Sequence, residues 1–115
     1  MINVKIYRDL NENIFKYVVE GHAGYSTSGS DIVCAAVSML TQTTLIALNE
    51  VCKIDEEDID YFIDDEKGKM SVAIPKTLQS EKLYSANIVL KTMEVGIKAL
   101  IDSYPQYITL KYGEV

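Results

Sequence analysis

Histidine occurs once in the 115 residues, at His22, cysteine twice, at Cys34 and Cys52, and tryptophan nowhere. One imidazole and two thiols fall short of the four ligands of a structural zinc site, so no metal is expected. The two cysteines lie eighteen positions apart on what reads as one helix. At about 1.5 Å of rise per residue that is roughly 27 Å, against about 7 Å for bridged Cα atoms. A disulfide within the chain is excluded, and Cys52 is too distant to resolve an oxidised Cys34. Positive charge is scarce: 11 Lys and Arg against 17 Asp and Glu give a net charge of −6. The cations are scattered along the chain, so no direct nucleic-acid partner is expected; an acidic surface suits a basic partner instead. No stretch approaches the roughly 18 uninterrupted apolar residues of a membrane span. Met1-Ile2-Asn3-Val4-Lys5 alternates as a strand does and does not resemble a signal peptide. Both point to the cytoplasm and away from a membrane. No linker, repeat or low-complexity run divides the sequence, so residues 1–115 read as one domain.

What is present divides into alternating and helical patterns. Ile2, Val4 and Ile6 alternate with Asn3, Lys5 and Tyr7, the mark of a half-buried strand. The turn cluster 9–13 separates them from a second strand, Ile14 to Glu20. Asp31 to about Val51 reads as a helix that is apolar nearly all round, with Thr41, Gln42, Thr43 and Thr44 as its one polar band. Such a helix must pack on the sheet and on something else, a second helix or another subunit; a homodimer is expected. Ile59 to Asp64 and Lys69 to Ile74 flank the turn Asp65-Glu66-Lys67-Gly68 as a hairpin. An amphipathic helix follows, capped by Ser80, running to about Tyr104 and stopped by Pro105. Ile108 and Leu110 begin a last strand. The order β-β-α-β-β-α-β predicts an α+β domain: a mixed, mostly antiparallel sheet of about five strands with two long helices, preferably both on one face.

The stretch with chemical content is Gly21 to Ser38, GHAGYSTSGSDIVCAAVS. His22 stands where a strand runs out and Cys34 in the expected first turn of a helix. Unpaired N–H groups and the helix dipole favour a thiolate there, and an imidazole within reach completes a nucleophile–base pair. Small and polar residues between them (Gly21, Ala23, Gly24, Ser26, Gly29, Ser30, with Tyr25) would let a peptide backbone approach. Residues 23–30 hold too little apolar surface to offset their ordering entropy, so this loop is expected to order on peptide binding. Spacing alone equally fits a small core cysteine and an ordinary strand-end histidine. Asp31 fits a helix cap. Ser38 lies one turn beyond Cys34 on the same face, where its hydroxyl would bond the Cys34 carbonyl or help place the thiol.

The same string, H-A-G-Y, small and polar residues, G-x-D, two apolar residues and C-A-A-x-S, resembles the signature of the ribosomal-processing cysteine protease family, Prp. Length and element order fit that family over essentially the whole chain. The resemblance implies a cysteine endopeptidase without cofactor, with His22 as acid–base and Cys34 as nucleophile. Asp31, orienting His22 or capping the helix, and Ser38 would support them. Residues 21–30 would form the substrate-binding loop, and backbone N–H groups at the helix start, that of Cys34 included, would hold the oxyanion. The implied substrate is the N-terminal extension of a large-subunit ribosomal protein. The alternatives are a non-enzymatic ribosome-assembly or peptide-binding factor with an inert Cys34, and a thiol redox sensor.

Overall fold

In the computed structural model, residues 1–21 and 28–115 are described, residues 28–31 by their backbone alone. The elements are β1 (Ile2–Arg8), β2 (Ile14–Glu20), α1 (Ser28–Glu50), β3 (Asp60–Asp64), β4 (Lys69–Ala73), α2 (Ser80–Ser103) and β5 (Ile108–Glu114), with a short 3₁₀ turn at Glu56–Asp58. The order is the expected one. The five strands form one sheet in the sequence β3-β4-β2-β1-β5. Every neighbouring pair is antiparallel except β1 and β5, which run parallel.

Register decides which side chains meet. Val4 faces Val19 and Leu110, Val19 faces Met70, and Met70 faces Ile63. Because side chains alternate across a strand, these share one face with Ile2, Ile6, Tyr17, Val72 and Ile108, all buried. Both helices lie on that face. α1 reaches it through Tyr17, whose hydroxyl donates to the Thr41 carbonyl at 2.8 Å; burial pushes the Tyr17 pKa far above the ordinary tyrosine value, so the donor proton stays. α2 reaches it through Asn87, whose Oδ1 accepts from the Ile14 N–H at 2.7 Å and whose Nδ2 donates to the Ile14 carbonyl at 3.2 Å. The helices touch each other where Gly96 meets Leu40: a Cβ on Gly96 would lie 2.6 Å from Leu40 Cδ2. The preference for both helices on one face is therefore met, and the other face of the sheet is uncovered.

Four boundaries differ from the sequence reading, one being β4, which ends at Ala73 and not Ile74. α1 begins at Ser28, three residues before Asp31, so Asp31 is the fourth helical residue and not the cap. Cys34 is then in the second turn. α2 takes Ser80 as its first residue behind Gln79, which makes no side-chain cap bond. Ile59 lies buried just ahead of β3. By length and composition, the segment Ile32–Glu50 is apolar enough to cross a membrane, although polar residues interrupt its apolar run. Its row Val33, Val37, Thr41, Thr44, Leu48 is buried, which accounts for part of that hydropathy; Ile32, Met39 and Ile46 on the outward side are exposed.

Candidate active site

Cys34 sits half-buried on the wall of a cleft of about 150 Å³. The cleft opens between the first half of α1 and the sheet end where β2 stops and β4 starts. Its apolar floor is Ile2, Val19, Ile63 and Met70, and Val37 continues it along α1. The α1 wall adds Ser38, Thr41 and Gln42, and the rim carries Asp64, Asp65 and Lys69. Ser38 therefore stands in the same cleft as Cys34, exposed, as its one-turn spacing implies. Cys52 is buried in the core, and neither cysteine is in a disulfide.

Gly21 fixes where the chain leaves the sheet. It has φ +101°, a region that glycine alone enters without strain. Its N–H donates to the Gly68 carbonyl at 2.9 Å, which ties the end of β2 to the β3–β4 turn. On its other side a Cβ would lie 2.3 Å from the Met1 carbonyl oxygen. The strand end is thus held between the start of β1 and the hairpin, and Gly21 itself lines the cleft. His22 is the next residue in the sequence. His22, Ala23, Gly24, Tyr25 and Ser26 lie outside the described residues. Gly29 and Ser30 belong to the first turn of α1, so the expectation of one continuous loop from 21 to 30 is corrected.

The helix start also changes the expected oxyanion donors. In an α-helix the first four N–H groups lack an intrahelical partner. Within the helix these include the N–H groups of Ser28, Gly29 and Ser30, while the ladder of N–H to the fourth preceding carbonyl takes up the N–H of Cys34. Val33 and Val37, the neighbours of Cys34 along α1, are buried, and Thr41, one turn beyond Val37, accepts from the Tyr17 hydroxyl through its carbonyl.

The hairpin wall is what the sequence reading missed. Ile63, Met70 and Lys69 reach the cleft because β4 pairs with β2, some fifty residues earlier in the chain. The only local signal was the turn glycine, Gly68, which has φ +61°. Lys69 pairs with Glu20 at 3.4 Å, and Asp64 Oδ1 accepts from the Lys67 N–H at 3.1 Å. The cleft thus offers an apolar interior beneath a rim richer in carboxylates than in ammoniums.

A half-buried thiol on the wall of an apolar cleft is placed as a cysteine protease would use it. Residues 1–109 match the family model described as cysteine protease Prp. Two relatives are named ribosomal processing cysteine protease Prp. That of Staphylococcus aureus is 28% identical over 112 residues, covering 97% of this chain and 99% of its own. That of Bacillus subtilis is 26% identical over 104 residues, covering 90% of each. The S. aureus protease crystallised with a substrate peptide superposes with a TM-score of 0.79 at 25% identity, over 97% of this chain and 99% of that one. SMU.848 from Streptococcus mutans shares the fold at a TM-score of 0.85 and 24% identity, over 100% and 96% of the two chains. The chain belongs to the Prp family of cysteine proteases.

Proposed function

We propose that this cysteine endopeptidase removes the N-terminal extension of a large-subunit ribosomal protein during ribosome maturation, in the cytoplasm and as a homodimer. The observation that carries the reading is the seat of Cys34: a half-buried thiol on an apolar cleft whose carboxylate-bearing rim suits a basic chain. Relatives named for ribosomal processing, with one crystallised on a substrate peptide and with a covalently linked product peptide, support it.

In the proposed reaction His22 accepts the Cys34 proton and the thiolate adds to the scissile carbonyl. The tetrahedral intermediate collapses to a thioester as the C–N bond breaks, and His22 returns the proton to the leaving amine. Water then adds to the thioester, with His22 again taking the proton, and Cys34 is released. The N–H groups at the start of α1 are the nearest unpaired backbone donors for the oxyanion. Asp31 in the first turn would orient His22, and Ser38 would steady the thiol. Support for the dimer is the outward side of α1, where Ile32, Met39 and Ile46 are each more than half exposed; a second copy would cover them.

The test is cleavage of a peptide spanning the processing junction of the large-subunit protein. Wild type should cut once, and Cys34→Ala and His22→Ala should not cut while keeping their thermal midpoints. No cleavage by wild type, or cutting by Cys34→Ala, overturns the reading. Met39→Glu should shift the sedimentation of the wild-type dimer to that of a monomer; a wild-type monomer removes the dimer.

A further inference from the structure

The uncovered face of the sheet gathers lysines that are far apart in the sequence. Side chains on that face follow from register. Lys5 stands beside Val18 on β2 and beside Lys111 on β5, and Tyr7 beside Lys16 and Gly113. Three lysines from three strands therefore share this face, Lys5 and Lys16 at the Tyr7 ring and Lys111 beside Lys5. The Lys5 Nζ lies 5.0 Å and the Lys16 Nζ 5.3 Å from the Tyr7 ring centroid. The ring itself lies against the bare backbone of Gly113, where a Cβ would come within 2.8 Å of Tyr7 Cδ2.

Beyond the two cation–π contacts, this grouping is not neutralised within the fold. Like charges directly opposite on paired strands destabilise a sheet, and Lys5 and Lys111 are so placed. Among the described residues the ion pairs are Arg8–Glu12, Lys69–Glu20 and Lys98–Glu94; none neutralises Lys5, Lys16 or Lys111. The carboxylates that share this face are Glu20, already paired with Lys69, and Asp60 and Asp64 on the far edge strand β3. Asp60 is separated from Lys16 by the whole of β4, roughly 10 Å. An unneutralised basic patch on a chain of net charge −6 is a local reversal of sign.

We infer that this face binds single-stranded RNA. Ammonium groups are point-charge partners for phosphates, and an aromatic ring on an open sheet is a stacking platform for a base. An RNA strand meets both parts: phosphates draw the ammoniums of Lys5 and Lys16 off the ring, and a base replaces them on Tyr7. An acidic peptide would satisfy the lysines and leave the ring without a partner. Cys34 and the cleft floor are on the other face of the sheet, and the cleft reaches this face only at its rim, through Asp64 and Lys69 and not through Lys5, Lys16 or Lys111, so cleavage of a short peptide does not require this patch. The inference rests on the charge grouping and not on the identity of the peptide substrate.

The test is fluorescence anisotropy of a labelled mixed-sequence RNA of about 12 nucleotides with the full chain. Three phosphate contacts at about 0.7 each give a slope of log affinity on log salt near −2, so binding should weaken roughly 20-fold between about 50 and 200 mM salt. The triple variant Lys5→Gln, Lys16→Gln, Lys111→Gln should lose at least about tenfold at the low salt and cut peptide as wild type does, which certifies its fold. Lys82→Gln with Lys91→Gln, on exposed positions of α2, should bind RNA as wild type does. Absence of RNA binding at low salt, equal loss in the α2 variant, or undiminished binding by the triple variant would overturn the inference. So would polyglutamate competing as well as unlabelled RNA of equal charge, which would assign the face to an acidic protein.

Discussion

Replacing Gly21 by alanine should disable the site from the sheet side, without touching the thiol. The native φ of +101° lies where an L side chain is strained, at about 1–3 kcal/mol for the conformation alone. The new Cβ would also meet the Met1 carbonyl oxygen at 2.3 Å, and no rotamer change relieves a contact between a Cβ and a backbone atom. Neither neighbour can retreat cheaply. The Ile2 N–H donates to the Tyr107 carbonyl at 2.8 Å, and Gly21 is itself tied to Gly68 at 2.9 Å. The conformational cost of about 1–3 kcal/mol alone corresponds to a fall of roughly 4–12 °C in Tm for a domain of this size, and the clash adds to it. The end of β2 must also turn, and displacement of a reacting group by about 1 Å can cost on the order of 100-fold in rate. Activity should therefore be measured well below the lowered Tm, where the variant is folded, and kcat/KM should still be down by about two orders of magnitude. Glu20→Gln is the control, because it removes only the exposed ion pair to Lys69 and should change Tm by about a degree or less. Gly21→Ala with wild-type kcat/KM and Tm would refute the claim that this residue aims the chain at the cleft.

Iodoacetamide at neutral pH should label Cys34 and leave Cys52, which is 4% exposed, unlabelled until the protein is denatured; peptide mapping that finds Cys52 modified first would contradict the assignment. Asn87→Ala removes the two hydrogen bonds to Ile14 and leaves a buried strand N–H without its acceptor, so chemical denaturation should show a loss of about 2–4 kcal/mol with cleavage intact at low temperature. Tyr17→Phe loses one buried bond to Thr41 and should cost about 0.5–1.5 kcal/mol; a loss above that range would mean the hydroxyl does more than join α1 to the sheet.

How far the fold could be read from the sequence depended on whether its cause was local. The limits of β2 were legible because Ile14–Glu20 lies between a turn cluster and a glycine that ends it. The first helix starts earlier than its sequence suggests, because Ser28, Gly29 and Ser30 are residues that favour caps and loops when taken alone. The core packing of Val33 and Val37 extends the helix through them. That Cys34 and Ser38 share one wall of the cleft was legible from their one-turn spacing. Ile63, Met70 and Lys69 were not, because only the pairing of β4 with β2 brings them to the thiol. The lysines follow the same rule: scattered at 5, 16 and 111, they look inert until the register of β2, β1 and β5 sets them around Tyr7.

The shifted start of α1 alters what holds the Cys34 thiol. A first-turn cysteine would be placed and activated mainly by the helix end, an influence that fades within a turn. Cys34 stands in the second turn, with buried Val33 before it and buried Val37 one turn on. Its position is therefore set by how α1 lies on the sheet. The cleft opposite it is set by the same sheet, through Val19 on β2, Ile2 on β1 and Met70 on β4. Both sides of the site thus share one rigid support, which allows the segment after Gly21 to differ in sequence or length without moving the thiol relative to the cleft floor. The turn at Gly21, which joins that segment to the support, is the place where such freedom ends.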